Sequence, residues 1–336
     1  MGDAVITVRD LELQYFTRRG PVRAVDGVSF ELLRGETLGL VGESGCGKTS
    51  LGTALLAVLA PPGKIVGGSI MVDGLDILKL NDDELRRQVR WEKVSMVFQG
   101  AMNSLTPVYT VGSQMNETLQ RHKRTAYSST SRREARKVIE RYLEMVGLPS
   151  DVANRYPHEL SGGMKQRVVI ATALFLEPSV VVLDEPTTAL DVIVQAQILN
   201  TIKELKRRLD LSLIFITHDL ATEAEVADRV LVMYAGRIVE SAPNETIFAT
   251  AGAGASGAPG RGACHPYTRM LLAATPRLHE RVREPAFIPG TPPDLLAPTL
   301  GCRFRPRCPV AFDRCSADPP LREVAPGHMA ACWRCG

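Results

Sequence analysis

The sequence predicts an α/β domain built on a mainly parallel sheet, followed by a small cysteine-rich C-terminal extension. Three observations carry this. Apolar runs of strand length alternate with helix-length amphipathic stretches between Leu160 and Thr217, the rhythm of parallel strands joined by crossover helices. A glycine-rich turn, Gly42 to Ser50, joins an apolar run to a helical one. Six of the seven cysteines fall in the last quarter of the chain, around and beyond a Gly/Ala-rich stretch.

The chain's 336 residues are enough for two domains, and 45% hydrophobic residues supply a core. A net charge of +3 is too mild to argue for a nucleic-acid partner. No window approaches an uninterrupted apolar span of membrane length, and Met1-Gly2-Asp3-Ala4 opens no export signal. A cytosolic setting is therefore expected, where a cysteine cluster reads as metal binding before it reads as disulfides.

Taken in order, the short apolar runs Val5–Thr7, Leu11–Tyr15 and Ser29–Leu33 predict antiparallel strands. Thr37–Val41 predicts a strand and Leu51–Leu59 a helix. Ser69–Leu78 reads as a hairpin turning at Asp73-Gly74, and Val94–Phe98 as a short strand ending at Gln99. From Gly112 to Gly147 the pattern becomes helical and charged. Ser161–Leu176 predicts a helix, Val180–Leu183 a strand, Val192–Leu209 a helix and Leu213–Thr217 a strand. Residues 249–263 are a Gly/Ala-rich linker with almost nothing apolar to bury, and a short helix is expected at Thr268–Ala274. The domains expected are 1–248 and 264–336.

Three stretches carry chemistry. Gly42-Glu43-Ser44-Gly45-Cys46-Gly47-Lys48-Thr49-Ser50 matches G-x-x-x-x-G-K-[ST] between a strand and a helix. Its amides can form a nest for phosphate oxygens, with Lys48 reaching the β- and γ-phosphates and Thr49 offering a hydroxyl to Mg²⁺. Val180–Leu183 ends in Asp184 and Glu185, the first suited to Mg²⁺ and the second to polarising an attacking water. In Leu160-Ser161-Gly162-Gly163-Met164-Lys165-Gln166-Arg167, Ser161 can cap a helix whose amides two glycines leave open to an anion.

Together these stretches resemble the nucleotide-binding subunit of an ATP-binding cassette (ABC) transporter, whose signature L-S-G-G-x-x-Q-R is complete here. The resemblance implies a P-loop ABC ATPase domain with a RecA-like core, an antiparallel β subdomain and a helical subdomain at about 100–175. It implies that Tyr15 stacks on adenine, with Phe16 as the alternative. Gln99 contacts Mg²⁺ and the attacking water, Asp191 lies in the loop crossing the dimer interface, and His218 reaches the γ-phosphate. Glu185, His218 and Gln99 would serve catalysis, and Thr49, Gln99 and Asp184 would hold Mg²⁺. ATP would lie between the phosphate loop of one subunit and Ser161, Gly162, Gly163 and Gln166 of the other. A second ATPase subunit is thus implied, head to tail and commonly a distinct protein.

The stretches Gln99–Leu105, Tyr156–Ser161, His265-Pro266-Tyr267-Thr268, Ile288-Pro289-Gly290 and Gly301-Cys302-Arg303-Phe304 resemble the peptide-importer branch (dipeptide, oligopeptide and nickel uptake). This implies peptide import powered from the cytoplasmic face of the membrane, with nickel or another small solute as the alternative cargo. Two transmembrane permease subunits and an extracytoplasmic substrate-binding protein are implied as partners. A soluble ABC ATPase acting on DNA or ribosomes is the rival class. It is disfavoured by a single cassette and by a spacing between Lys48 and Ser161 too short for coiled coils.

Cys302, Cys308, Cys315 and Cys332 follow C-x₅-C-x₆-C-x₁₆-C, without the close pairs usual for structural zinc. Four thiolates can hold a [4Fe–4S] cluster, and the branch's resemblance implies one here, with Zn²⁺ or free thiols as alternatives. Cys264 and Cys335 are expected to be unligated thiols.

Overall fold

A computed structural model describes residues 3–121, 132–249, 262–274 and 287–335. Most of the expected linker, residues 250–261, lies outside the described residues. In chain order come β1 (Ala4–Thr17), β2 (Gly20–Leu33), β3 (Thr37–Val41), α1 (Lys48–Ala54), β4 (Gly63–Val72) and β5 (Leu75–Asp76). Next are α2 (Asp82–Gln88), β6 (Val94–Val97), α3 (Val111–Arg121), α4 (Arg132–Met145), α5 (Gly162–Ala173), β7 (Val180–Asp184) and α6 (Val192–Leu209). Last are β8 (Ser212–Thr217), α7 (Leu220–Val226), β9 (Arg229–Tyr234), β10 (Arg237–Pro243), α8 (Asn244–Phe248), α9 (Pro266–Ala273), β11 (Arg322–Ala325) and β12 (His328–Ala330). Among the described residues no helix is long and apolar enough to cross a membrane.

The chain divides into two compact units. The first comprises Met1–Ile6, Leu32–Gly35 and Met71–Ile214; the second Thr7–Glu31, Glu36–Ile70 and Phe215–Gly336.

In the first unit β6 and β7 run parallel, in register from Val94 opposite Val180 to Val97 opposite Leu183. Both strands are buried throughout, β7 as a run of Val and Leu and β6 as Val-Ser-Met-Val, as strands covered on both faces are. Around them α3 buries Val111, Met115 and Leu119, four residues apart on one stripe. Ser161 caps α5, its hydroxyl accepting from the Met164 amide. Asp191 caps α6, which spans the range its sequence predicts. The turn between β4 and β5 has Asp73 and Gly74 at φ 46° and 75°, the pair of left-handed residues a tight hairpin needs. Helix α2 is absent from the sequence-based expectations, although Asn81 and Glu84 form the capping box that marks its start.

In the second unit the strand order is β11-β12-β10-β9-β3. β3 pairs parallel with β9, and β9, β10, β12 and β11 continue antiparallel. The last strands of the chain therefore extend this sheet, with Glu240 opposite Ala330 and Ser241 opposite Met329. β2, β1 and β4 lie side by side in a separate sheet. The core joins Val230, Val232 and Tyr234 of β9 to Tyr267 of α9 and to Phe304. The rings of Tyr234, Tyr267 and Phe304 pack with centroids 4.6–5.4 Å apart.

Candidate functional site

The phosphate-type loop belongs to the second unit. β3 ends at Val41, and α1 begins at Lys48, three residues earlier than its apolar pattern predicts, and stops at Ala54. Two glycines are required by close approach. A Cβ on Gly42 would lie 2.2 Å from the Met233 carbonyl oxygen, and one on Gly47 would lie 2.1 Å from that of Ala24. The Lys48 ammonium is turned back over the loop, donating to the carbonyls of Gly42 (2.7 Å) and Glu43 (3.0 Å). Cys46 is buried, which pushes its thiol pKa up, while Ser44, Gly45 and Thr49 are exposed. The Tyr15 hydroxyl lies 3.2 Å from Ser50 Oγ, so this half-buried ring stands beside the first turn of α1. Phe16 is more exposed and lies under the Lys64 ammonium instead. Exposed His218 follows β8, and Asp219 caps α7 through the Ala221 amide.

Glu43 has partners that nothing in its local sequence signals. The Arg307 guanidinium grips its carboxylate at 2.6 and 2.9 Å, and its backbone N–H donates to the Tyr267 hydroxyl at 2.8 Å. Hydrogen bonding to Glu43 raises the pKa of Arg307, and burial raises that of Tyr267, so the one stays charged and the other neutral.

In the first unit β7 delivers buried Asp184 and half-buried Glu185. Glu185 has φ 48°, an uncommon conformation for a residue with a side chain. Gln99 Nε2 donates to Glu185 Oε2 at 2.8 Å, and Thr188 Oγ1 donates to the same oxygen at 3.0 Å. One carboxylate oxygen is thereby fixed, which aims the group. Ser161 and Gly162 are exposed and Gln166 is buried. A Cβ on Gly162 would lie 3.3 Å from Leu190, and one on Gly163 would lie 2.5 Å from Val194. The Ser-Gly-Gly turn therefore lies against the loop that carries Asp191, and Val192 and Ile193 beside it are 79% and 72% exposed.

In the second unit Cys302, Cys308, Cys315 and Cys332 line one small cavity whose other walls include Phe304, Val310 and Pro319. Burial raises Cys302 to about 11 and pushes Cys308 and Cys332 up as well. The expectation of unligated thiols at Cys264 and Cys335 is corrected, because the two form a disulfide with Cα atoms 5.8 Å apart. The sheet explains the meeting. The Glu240 carboxylate on β10 accepts the Cys264 N–H, and β12, paired with β10, brings the residues that follow it alongside. The same buried carboxylate accepts from the His265 amide and lies 2.7 Å from His328 Nε2. Burial lowers His265 to about 4 and keeps its ring neutral.

The chain matches the family model described as ABC transporter over residues 25–188. It matches the model for the oligopeptide/dipeptide transporter C-terminal region over 260–315. It is 45% identical to the oligopeptide transport ATP-binding protein OppD of Escherichia coli, over 99% of this chain and 94% of that protein. Identity to the dipeptide transport ATP-binding protein DppD of Bacillus subtilis is 43%, over 98% of this chain and 95% of that one. Among solved structures, the ATP-binding cassette MJ0796 as a dimer in a post-hydrolysis state with ADP and Pi superposes with a TM-score of 0.63 at 27% identity. That match covers 71% of this chain and 98% of MJ0796. CbiO1 of Clostridium perfringens gives 0.62 at 27% identity, covering 74% of this chain and 91% of that one.

Proposed function

The chain belongs to the ATP-binding subunits of ABC transporters, in their oligopeptide and dipeptide branch, and on that premise we propose that it energises peptide import by hydrolysing ATP. Its fold is the RecA-like and helical core of that family with a small cysteine-bearing C-terminal region. The observation that carries the peptide reading is that the likeness to OppD runs through the extension as well as the cassette, over 99% of the chain. No feature favours a nickel-specific role. The cassette is residues 1–248 and the extension 264–336.

In this reading Gly42 to Ser50 cradle the phosphates, and Lys48 exchanges its two loop carbonyls for phosphate oxygens. Tyr15 stacks on adenine. Thr49, Gln99 and Asp184 hold Mg²⁺, whose charge offsets that of the phosphates. Glu185 accepts the proton of the attacking water, and its bond to Gln99 supports that role by fixing the carboxylate. His218 bonds the γ-phosphate. Ser161, Gly162 and Gly163, with the exposed loop around Asp191, complete the ATP site of a second, distinct ATPase subunit. Two transmembrane permeases and an extracytoplasmic binding protein complete the importer, and this subunit works at the cytoplasmic face.

The four thiols around one cavity fit a [4Fe–4S] cluster in donor chemistry. The four follow C-x₅-C-x₆-C-x₁₆-C and lack the close pairs usual for structural zinc, which supports the cluster over zinc. When bound, the cluster cross-links a segment with little apolar core.

The test is peptide uptake by proteoliposomes holding the complex purified with this chain. Uptake should require ATP, and Glu185→Gln should lower turnover by roughly 10²- to 10⁴-fold while ATP still binds. Recovery of ribosomal proteins without membrane subunits would overturn the importer reading.

A further inference from the structure

We propose that the cysteine-bearing extension sets the nucleotide affinity of the phosphate loop, with Arg307 as the positioning residue that carries the effect. The inference rests on the reading that the loop binds ATP and that the cysteines hold a cluster. It goes beyond that reading in joining the two.

The geometry points to Arg307 because every nitrogen of its fork is used. Nε donates to the Pro289 carbonyl at 2.8 Å, and the two terminal nitrogens take the two oxygens of Glu43. They also reach the Tyr234 hydroxyl at 3.3 Å and the Ile288 carbonyl at 3.4 Å. The Arg307 side chain is 5% exposed, whereas Glu43 retains 22% at the rim of the loop. A buried, fixed cation therefore holds a loop carboxylate that would otherwise add a negative charge beside bound phosphates. Tyr267 restrains the same residue from the backbone side, accepting its N–H.

The link to the cysteines is covalent and short. Arg307 immediately precedes Cys308, which lines the four-thiol cavity. Arg303 immediately follows Cys302 of the same cavity, and its guanidinium bonds the Ala235 carbonyl and the Asp26 carboxylate. Next to Ala235, the Gly236 N–H donates to the Cys46 carbonyl in the loop at 2.9 Å. Of two arginines each adjacent to a cavity cysteine, Arg307 thus ends on the phosphate loop and Arg303 on the turn at Ala235 whose next residue bonds it. Ordering of the cysteine segment fixes both, and its loosening releases Glu43.

Binding of a ribose-labelled fluorescent ATP analogue with Mg²⁺ to the full chain tests this without transport. Arg307→Ala should weaken binding about tenfold, the order of the repulsion between a freed loop carboxylate and nearby phosphates at a protein surface. In a Glu43→Gln background the same substitution should cost nothing further, because the unpaired charge is already gone. An equal loss in both backgrounds would mean general damage to the fold and would overturn the proposal, as would no loss in either. Cys308→Ser, which leaves both members of the ion pair in place, should also weaken binding, and should add nothing to Arg307→Ala. Unchanged affinity in Cys308→Ser would overturn the coupling. If Arg307→Ala does not fold, Cys308→Ser alone decides. A wild-type chain that binds no analogue would instead overturn the nucleotide reading beneath the proposal.

Discussion

Glu223 shows how one side chain can make a fold sensitive to pH. It is fully buried on α7, with both carboxylate oxygens lacking a hydrogen-bond partner among the described residues. It packs against β3, where a Cβ on Gly39 would lie 1.5 Å from Glu223 Oε1, so the strand needs glycine there. Burial, with a smaller contribution from Asp219, raises its carboxyl well above the ordinary 4.5, so the folded chain holds it neutral. The unfolded chain ionises from about 4.5 upward and gains from doing so. The folded state therefore binds the extra proton, and stability falls as pH rises from 4.5 towards the folded pKa. Glu223→Gln cannot ionise, so the fall in urea midpoint between pH 5 and pH 8 should shrink in that variant. A fall as large as that of the wild type would place the pH dependence elsewhere. Gly39 was readable in the sequence as a glycine inside an apolar run, but its partner was not.

At the scale of elements, the last strand of the chain does more than its length suggests. β12 has three residues, yet it extends the sheet at β10, and the chain it leads into returns Cys335 to Cys264. Closing a loop of 71 residues removes enough freedom from the unfolded chain to stabilise the fold by about 4 kcal/mol. Unreduced wild type should therefore unfold at higher urea than Cys335→Ser, and the difference should vanish in dithiothreitol. Alkylation of the unreduced, denatured chain at Cys264 and Cys335 would refute the bridge. Spacing alone could not reveal this pair, because connectivity depends on which strands meet. By contrast α6 was legible to its ends: Asp191 supplies the cap, and Lys206, Arg207 and Arg208 close the last turn. β9 is an apolar run, Val230 to Tyr234, and was readable as a buried strand, whereas β10 mixes apolar and polar residues and is identified by its pairing with β9.

For the molecule as a whole, the exposed apolar side chains are the guide to assembly. Val192 and Ile193 project beside the Ser161-Gly162-Gly163 turn, where large apolar groups are otherwise costly to leave in water. Ile193→Asp should lower ATP-dependent pairing of a Glu185→Gln chain with its partner ATPase subunit at least tenfold in sedimentation, with the melting curve of the single subunit nearly unchanged. Undiminished pairing would remove this surface from the interface. The motifs proposed to bind and hydrolyse ATP are legible because each is local: Gly42 to Ser50, Asp184-Glu185 and Ser161 to Gly163 each lie within ten residues. What orients them was less so, since Gln99 meets Glu185 across 86 residues and Arg307 meets Glu43 across 264.

That last separation is also an interval of time. A ribosome adding roughly 5–20 residues per second releases Glu43 tens of seconds before Arg307, which lies 264 residues further on. Through that interval the nascent loop carries an uncompensated carboxylate, and a chain cut short before Arg307 carries it for good. If Arg307 sets the loop's affinity as proposed, readiness for nucleotide doubles as a mark of synthesis carried through the extension.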